Sequence, residues 1–292
     1  MSYILTLVAS DKKLTLGHLA GIERFCAQQG VAITNSPVWL SPHKAADIGI
    51  ASCLTQDQIK TLWEALSVDK IDVFCTSVHN RQKKLFLADM DATIVTTETL
   101  DELAEHAGIG EQIAAITARA MNGDLDFHEA LRERVALLDG LSVDKLKVTL
   151  DQTRISAGAD ILLKTLRQHH VPCVLVSGGF TFFTGSVADQ LGFTAHHGNT
   201  LEIKDGHLTG QVIPPILDKN SKLSYLHTYA EDYGLDLSET LAIGDGANDL
   251  PMLSAAGLGV GYRPKKILQE TLRNCLFYGD LSALLYAQGY NF

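Results

Sequence analysis

Strand-like and helix-like runs alternate along the chain from Lys83 onward, and this alternation limits the possible folds more than any other feature of the sequence. The strand-like runs are short, apolar and well separated, at residues 85–88, 172–176, 240–243, 258–261 and 275–278. Alternating strands and helices are typical of an α/β fold with a mainly parallel sheet. We therefore predict an α/β domain over residues 81–292.

Polar side chains come directly after three of these strands, namely Asp89, Ser177 and Asp245. In open α/β sheets, ligands bind at the carboxyl ends of the strands. We therefore expect these three side chains to converge on one crevice, although more than 150 positions separate the first from the last.

The segment between the first two strands holds about 80 residues that favour helices, with no strand of comparable strength. We interpret it as a helical cap inserted into the α/β domain at about residues 98–155. Turn signals at Gly198-Asn199 and Asp205-Gly206 predict short strands or a hairpin within residues 192–213.

The first 80 residues follow a different pattern, with elements in the order β-α-β-β-α-β. Thr55 and Gln58 have the spacing of a capping box at the start of the second helix. The element order is ferredoxin-like, and small amino-acid-sensing domains of the ACT type share it. We predict a ferredoxin-like, ACT-like N-terminal domain over residues 1–80, followed by an α/β domain. Two roles stay open for it: effector binding, or packing that includes a homodimer contact.

The composition excludes several classes of partner. With 24 Lys and Arg against 34 Asp and Glu, the formal charge is −10, so we expect neither nucleic acid nor a membrane as a partner. No basic segment precedes the first apolar run, and no later run reaches 18 apolar residues, which predicts a cytoplasmic protein. The five cysteines are widely spaced, which predicts buried free thiols.

Two carboxylates, Asp89 and Asp91, end the strand at residues 85–88 with a spacing of two positions. In an extended strand both side chains would point to the same face, whereas a turn lets them face different groups. One could then attack a substrate while the other reaches the leaving group. This separation suits a nucleophile and a general acid.

The motif Asp89-x-Asp91-x-Thr93 resembles the first motif of the haloacid dehalogenase-like phosphatases and phosphotransferases. The other motifs of that family follow in order, namely Ser177 with Gly178 and Gly179, then Lys222, then residues 244–249. The ordered set covers about residues 85–262. It implies a Rossmann-like core with a mainly parallel sheet and an inserted helical cap.

Residues 89–104, 127–135 and 176–181 narrow the resemblance to the phosphoserine phosphatases. Ala92 is one departure, at a position where serine is common in the family, and we expect it to be tolerated because neighbouring carboxylates perform the chemistry. The resemblance implies Mg²⁺-dependent hydrolysis of O-phospho-L-serine to L-serine and phosphate, the last step of L-serine biosynthesis. Asp89 would form an aspartyl-phosphate.

A phosphate monoester is dianionic, so cations must screen it before a carboxylate can attack. Mg²⁺ held by Asp89 and Asp245 would supply most of this screening. Lys222 would add a point charge, and Ser177 with the Gly178 N–H group would hold phosphoryl oxygens.

Three further roles complete the predicted site. Asp91 would give a proton to the departing serine oxygen and later take one from water, and the resemblance implies that its backbone carbonyl also ligates Mg²⁺. Asp249 would support the metal from outside its ligand set, and Asn248 would face the phosphate or the water.

Substrate specificity requires groups that recognise an amino acid. The apolar stripe Phe127, Leu131, Val135 and Leu138 places Arg134 about 50° from its centre, so Arg134 faces inward and requires an anion. A substrate carboxylate would meet that requirement, and Glu98 would bind the ammonium group. The resemblance assigns the same two roles.

Other interpretations stay open at this point. A phosphotransferase that moves the phosphoryl group to homoserine would use the same motifs, as would a phosphatase for another small phosphomonoester. A regulatory protein with a phosphate-binding remnant is the alternative from a different class, and the intact Asp89, Asp91, Lys222 and Asp245 argue against it. In structural terms, Arg134 could be an internal ion-pair partner and Glu98 an ordinary first-turn acid.

Overall fold

The computed structural model describes residues 2–11, 13–121 and 124–290. The first part of the chain contains, in order, β1 (Tyr3–Ala9), α1 (Leu16–Gln28), β2 (Ile33–Ser41), β3 (Ala45–Ile50), α2 (Gln56–Leu66) and β4 (Ile71–Ser77). Its four strands form an antiparallel sheet in the order β2-β3-β1-β4. The predicted ferredoxin-like arrangement is confirmed.

Local sequence explains these elements. The Thr55 hydroxyl accepts the N–H of Gln58, and the Gln58 side chain accepts the N–H of Thr55, so the predicted capping box begins α2. The apolar stripe of α2 is buried where the helix packs against β4, and all six residues of β3 are buried. Burial of one face of each helix supplies most of the stability of such short elements.

The second sheet has seven strands. They are β5 (Leu85–Ala88), β6 (Cys173–Phe180), β7 (Ala195–Lys204), β8 (His207–Ile213), β9 (Thr240–Gly244), β10 (Leu258–Tyr262) and β11 (Cys275–Leu276). Their order is β11-β10-β9-β5-β6-β7-β8. The pairs β6–β7, β9–β10 and β10–β11 are parallel, whereas β7–β8 is an antiparallel hairpin, so the predicted mainly parallel sheet is confirmed.

Helices fill the connections between these strands. The α-helices described between β5 and β6 are α3 (Thr99–Ala107), α4 (Gly110–Met121), α5 (Phe127–Ala136), α6 (Val143–Gln152) and α7 (Ala159–Gln168). The others are α8 (Thr181–Leu191), α9 (Lys219–Asp232), α10 (Leu250–Ala255), α11 (Lys266–Thr271) and α12 (Ala283–Ala287). None of the helices in the described ranges is long and apolar enough to cross a bilayer.

One of the two predicted turn signals within residues 192–213 is wrong. Asp205-Gly206 forms the turn between β7 and β8, as predicted, but Gly198-Asn199 lies inside β7. The backbone of Gly179 and Phe180 runs so close to Gly198 that a Cβ there would lie 3.1 Å from the Gly179 carbonyl oxygen. The glycine is therefore present for close strand packing rather than for a turn.

The chain divides into two compact units. One comprises residues 1–87, 157–173 and 226–292 and contains the whole first sheet together with β9, β10 and β11. The other comprises residues 88–156 and 174–225 and contains α3–α6 and the β7–β8 hairpin. The domain boundary near residue 80 and the limits of the cap at about 98–155 stay predictions.

Within the first of these units, the N-terminal sheet is fastened to the C-terminal residues by buried hydrogen bonds. The Asp72 carboxylate of β4 accepts the backbone N–H groups of Phe277, Tyr278 and Gly279, with the shortest contacts at 2.7 Å. The Trp63 ring of α2 packs edge-on against Phe277, with the ring centroids 5.2 Å apart. The first sheet is thus held by polar and aromatic contacts far apart in sequence.

Candidate active site

The chain turns sharply after β5, over residues Met90–Ile94. The Asp89 carboxylate accepts the N–H of Met90, and Ala92 adopts a left-handed backbone conformation with φ of 51°. Its N–H then bonds to the carbonyl of Thr97. Because the backbone reverses here, Asp89 and Asp91 face different partners despite their spacing of two positions.

Asp89 is paired with Lys222, which lies on α9. The Nζ atom is 2.7 Å from Oδ1 of the carboxylate, and the two side chains are only 3% and 5% exposed. A neighbouring ammonium group favours the charged form of a carboxylate. Lys222 also places a positive charge where phosphoryl oxygens would approach Asp89.

Asp91 lies in a separate hydrogen-bond network. Its Oδ1 accepts the backbone N–H of Thr99 at 2.8 Å, and its Oδ2 accepts the hydroxyl of Ser177 at 2.9 Å. The Ser177 oxygen in turn accepts the N–H of Gly179. Burial raises the pKa of Asp91, and these hydrogen bonds together with Lys222 oppose the rise. A carboxyl with a raised pKa holds a proton for a leaving group more readily than an ordinary carboxyl.

The glycines after Ser177 are required by close packing. A Cβ on Gly179 would lie 2.9 Å from Asp91 Oδ2 and 3.1 Å from the Ser177 hydroxyl. The Gly178 carbonyl accepts the side-chain N–H of Asn199 at 2.7 Å, and the Asn199 amide oxygen accepts the N–H of Leu217. The fully buried Asn199 therefore links the end of β6 to the segment that leads into α9 and Lys222.

The loop after β9 is organised around Asp249. Its Oδ2 accepts the backbone N–H groups of Asp245 and Gly246, both at 3.1 Å, and the side chain is fully buried. Gly244 has no room for a side chain, because a Cβ there would collide with the Asp249 carboxylate. Lys265 Nζ lies 2.9 Å from Asp245 Oδ2. Asn248, predicted to face the phosphate, is exposed on this loop.

Three carboxylates could hold a metal ion. Asp89 is buried in one unit and Asp245 and Asp249 are buried in the other, and all three offer carboxylate oxygens as donors. β5 and β9, which these residues follow, are neighbours in the sheet. Buried carboxylates repel one another unless cations neutralise them, and such oxygen donors suit a hard divalent cation. The Asp91 side chain is not in this group; its predicted metal contact was through the backbone carbonyl.

The predicted specificity residues lie in the helical segment between β5 and β6. Burial lowers the pKa of Arg134, and the negative charges of Asp101 and Glu98 oppose that change, so the three groups share one electrostatic neighbourhood. The Arg134 Nε donates to the carbonyl of Ala130 at 3.2 Å. Glu98 is exposed at the start of α3 and makes no side-chain capping bond. Their roles toward a substrate stay predictions.

Three residues that contact the predicted site were not identified from the sequence: Thr99, Gly179 as a packing requirement, and Lys265. The N–H group of Thr99 binds Asp91 because α3 begins there, and a helix N-terminus offers free N–H donors. Lys265 lies 20 positions after Asp245, and no local pattern connects the two. Gly179 belongs to the second motif, and its position beside Gly178 was the sequence signal that could have indicated close backbone packing.

A model of the family described as haloacid dehalogenase-like hydrolase matches residues 86–254. The chain belongs to this family. The match includes Asp89, Ser177, Lys222 and Asp245, the residues that carried the resemblance in the sequence. The predicted family and fold are thereby confirmed. Phosphatases of this family generally use a divalent metal, for which the carboxylate group of Asp89, Asp245 and Asp249 is suited.

Curated phosphoserine phosphatases are among the relatives of this chain. It is 41% identical to that of Streptomyces coelicolor, over 77% of this chain and 55% of that protein. It is 38% identical to that of Methanocaldococcus jannaschii, over 70% of this chain and 97% of that protein. A solved structure of a probable phosphoserine phosphatase from Vibrio cholerae is 31% identical, with a TM-score of 0.78 over 99% of this chain and 88% of that one. The chain spans about half the length of the first curated relatives it matches.

Proposed function

We propose that this protein hydrolyses O-phospho-L-serine to L-serine and phosphate through an aspartyl-phosphate on Asp89, as the last step of L-serine biosynthesis. The observation that carries the proposal is that the two aspartates after β5, Asp89 and Asp91, have different surroundings. Asp89 is paired with a lysine, whereas Asp91 is hydrogen-bonded to Ser177 and has a raised pKa. The similarity to phosphoserine phosphatases supports the choice of substrate.

In the first step, an oxygen of Asp89 attacks the phosphorus atom and the bond from phosphorus to the serine oxygen breaks. Asp91 donates its proton to that oxygen, so L-serine leaves as a neutral alcohol. The raised pKa of Asp91 favours the protonated form that this step requires. Lys222 stabilises the negative charge that collects on the phosphoryl oxygens.

In the second step, water attacks the phosphorus atom of the aspartyl-phosphate. Asp91, now ionised, accepts a proton from the water, and the bond from phosphorus to Asp89 breaks. Phosphate leaves and Asp89 returns as a carboxylate. The hydrogen bonds from Thr99 and Ser177 hold the Asp91 carboxylate in place while it is charged.

We propose Mg²⁺ as the metal, with Asp89, Asp245 and the Asp91 backbone carbonyl as its protein ligands. The ion would supply Lewis-acid screening of the phosphoryl oxygens. Asp249 supports this arrangement because it binds the N–H groups of Asp245 and Gly246 and so fixes the loop that presents Asp245.

We propose that Ser177, Gly178, Lys222 and Asn248 bind the phosphoryl group. Glu98 and Arg134 would bind the ammonium and carboxylate groups of the substrate. The Arg134 guanidinium is partly buried and lies near the acids Asp101 and Glu98. A partly buried guanidinium is a strong hydrogen-bond partner for a substrate carboxylate.

The experiment is a comparison of phosphate release from L-phosphoserine, D-phosphoserine, phosphothreonine and an aryl phosphate, with Mg²⁺ or a chelator. We expect Mg²⁺-dependent release with a clear preference for L-phosphoserine. Activity on the aryl ester alone would contradict L-phosphoserine as the substrate but would still support phosphatase chemistry. Added homoserine tests the phosphotransferase alternative, which predicts phosphohomoserine in place of free phosphate.

A further inference from the structure

Two cysteines far apart in sequence lie side by side in the first unit. The sulfur atoms of Cys53 and Cys75 are 3.5 Å apart, and Arg273 Nη1 lies 3.3 Å from the Cys53 sulfur. The prediction of buried free thiols is confirmed for Cys75 and is wrong for Cys53, which is free but only half-buried. The three side chains form a small cluster of two thiols and one cation, which we name the dithiol cluster.

We propose that the dithiol cluster is a peroxide-sensitive modification site in which Cys53 and Cys75 close reversibly into a disulfide. The proposal is independent of the phosphatase activity, since the cluster contains none of the residues assigned to catalysis. It rests on the sulfur-to-sulfur distance, the neighbouring guanidinium and the partial exposure of Cys53.

The surroundings of the two thiols assign them different roles. The hydrogen bond from Cys75 and the positive charge of Arg273 lower the pKa of Cys53 to about 6, despite partial burial. The same contact and burial raise the pKa of Cys75. Cys53 is thus the thiolate near neutral pH and Cys75 the proton-bearing partner, which is the division found in reactive thiol pairs.

The other cysteines provide an internal contrast. Burial raises the pKa values of Cys173 and Cys275 to about 12, and burial also raises the pKa of Cys26. These three side chains are buried, whereas Cys53 is partly exposed. Reactivity with peroxide follows thiolate character and exposure, so Cys53 should react first.

The reaction balances with a hydroperoxide as the oxidant. The Cys53 thiolate attacks one peroxide oxygen, the O–O bond breaks, and hydroxide leaves and takes up a proton to form water. Cys75 then attacks the sulfur of the resulting sulfenic acid, the S–O bond breaks, and its thiol proton leaves with hydroxide as a second water. Two thiols and one hydrogen peroxide thus give one disulfide and two waters.

The backbone allows the short movement that the bond requires. The sulfur atoms must approach from 3.5 Å to about 2.05 Å. Cys75 is fixed in β4, where its N–H donates to the Asn274 amide oxygen at 2.8 Å. Cys53 lies in the connection between β3 and α2, directly after a bend at residues 51–52. Cys53 is therefore the residue that moves toward Cys75.

The first test is mass mapping of the full chain after treatment with one equivalent of hydrogen peroxide, followed by alkylation, unfolding and digestion. We expect a cross-linked peptide pair containing Cys53 and Cys75, which dithiothreitol reverses. Cys26, Cys173 and Cys275 should be recovered as free thiols. Recovery of Cys53 and Cys75 as free thiols, or cross-links distributed over other cysteines, would overturn the proposal.

Variants test the assigned roles. In Cys75→Ser, peroxide should leave a sulfenic acid on Cys53 that a 1,3-dione reagent traps. In Arg273→Gln, alkylation of Cys53 by iodoacetamide at pH 7 should slow several-fold, and the midpoint of its pH profile should rise above about 6. Arg263→Gln removes an exposed arginine of the same unit as a matched control and should leave the profile unchanged. Equal Cys53 alkylation in wild type and Arg273→Gln would contradict activation by Arg273.

Discussion

Among the described residues, the ion pairs Arg81–Asp47 and Lys222–Asp89 are both largely removed from water but are built in opposite ways. In the N-terminal sheet, Arg81 binds both carboxylate oxygens of Asp47, at 2.7 and 2.8 Å, while the Thr6 hydroxyl donates to the same carboxylate. After β5, Lys222 contacts Asp89 at one oxygen, 2.7 Å away, as a point charge. Asp47 is held by a two-pronged guanidinium, whereas Asp89 contacts its lysine at a single point and is one of three carboxylates that could hold a metal ion.

We expect this difference to distinguish a structural carboxylate from the proposed nucleophile. A bidentate arginine fixes a carboxylate and occupies both of its oxygens. This contact stabilises the folded chain, but it leaves the carboxylate little capacity to bind a substrate. A lysine beside clustered acids leaves electrostatic repulsion that a metal ion and a phosphoryl group can relieve on binding. Similar burial therefore does not imply a similar function, and the following predictions separate the two kinds of site.

Among variants that keep the proposed nucleophile, the largest effect should follow Asp91→Asn. Asparagine cannot transfer the proton, so phosphate release from L-phosphoserine should fall on the order of 10⁴-fold. Release from an aryl phosphate should fall less, because an aryl oxide leaves without a proton. The two substrates are compared by kcat/KM, which reports formation of the aspartyl-phosphate and not its later hydrolysis, in which Asp91 is the base. Equal losses of kcat/KM on the two substrates would contradict the general-acid role.

Arg81→Met should affect stability rather than turnover. It leaves Asp47 buried without its cation, at a site where the arginine and aspartate side chains are only 15% and 12% exposed. We expect the free energy of unfolding to drop by about 3–5 kcal/mol, measured by urea denaturation. The kcat of the folded fraction should stay unchanged, and a large loss of kcat at full folding would show that the two ion pairs are not functionally separate.

Asp72 gives a pH-dependent comparison within the N-terminal sheet. Burial raises the pKa of Asp72 to about 6, although three backbone N–H groups oppose the rise. A raised pKa in the folded state means that the stabilising contribution is complete below about pH 4 and is lost as the pH rises through 6. The stability of wild type relative to Asp72→Asn should therefore decline by up to about 3 kcal/mol between pH 4 and 7. An increase in this relative stability between pH 4 and 7 would contradict a raised pKa for Asp72.

The smallest effect should follow Arg134→Ala. Loss of the contact with the substrate carboxylate should lower kcat/KM for L-phosphoserine by about 10–100-fold. Hydrolysis of the aryl phosphate, which has no such carboxylate, should be unaffected. Arg132→Ala, on the same helix but farther from the apolar stripe, is the matched control. An unchanged kcat/KM for L-phosphoserine would show that Arg134 does not determine specificity.

The sequence predicts the parts of this protein that depend on local pattern. Asp89 and Asp245 directly follow strands because apolar runs stop there, and the capping box at Thr55 follows from two residues three positions apart. The prediction that Ser177 also follows its strand is wrong, because β6 continues through Ser177 to Phe180. Contacts between distant segments have no such periodic signal. The proximity of Cys53 to Cys75 depends on the order of the strands, and the pair of Lys265 with Asp245 depends on the path of the chain after β10.

The decisive measurement is phosphate release from L-phosphoserine by wild type and Asp89→Asn, each with Mg²⁺ and with chelator. Asparagine keeps the shape of the side chain and removes the nucleophile, so release should fall at least about 10⁴-fold while circular dichroism shows a folded protein. Chelator should abolish wild-type release. Retention of activity within tenfold in a folded Asp89→Asn variant would contradict an aspartyl-phosphate at this residue.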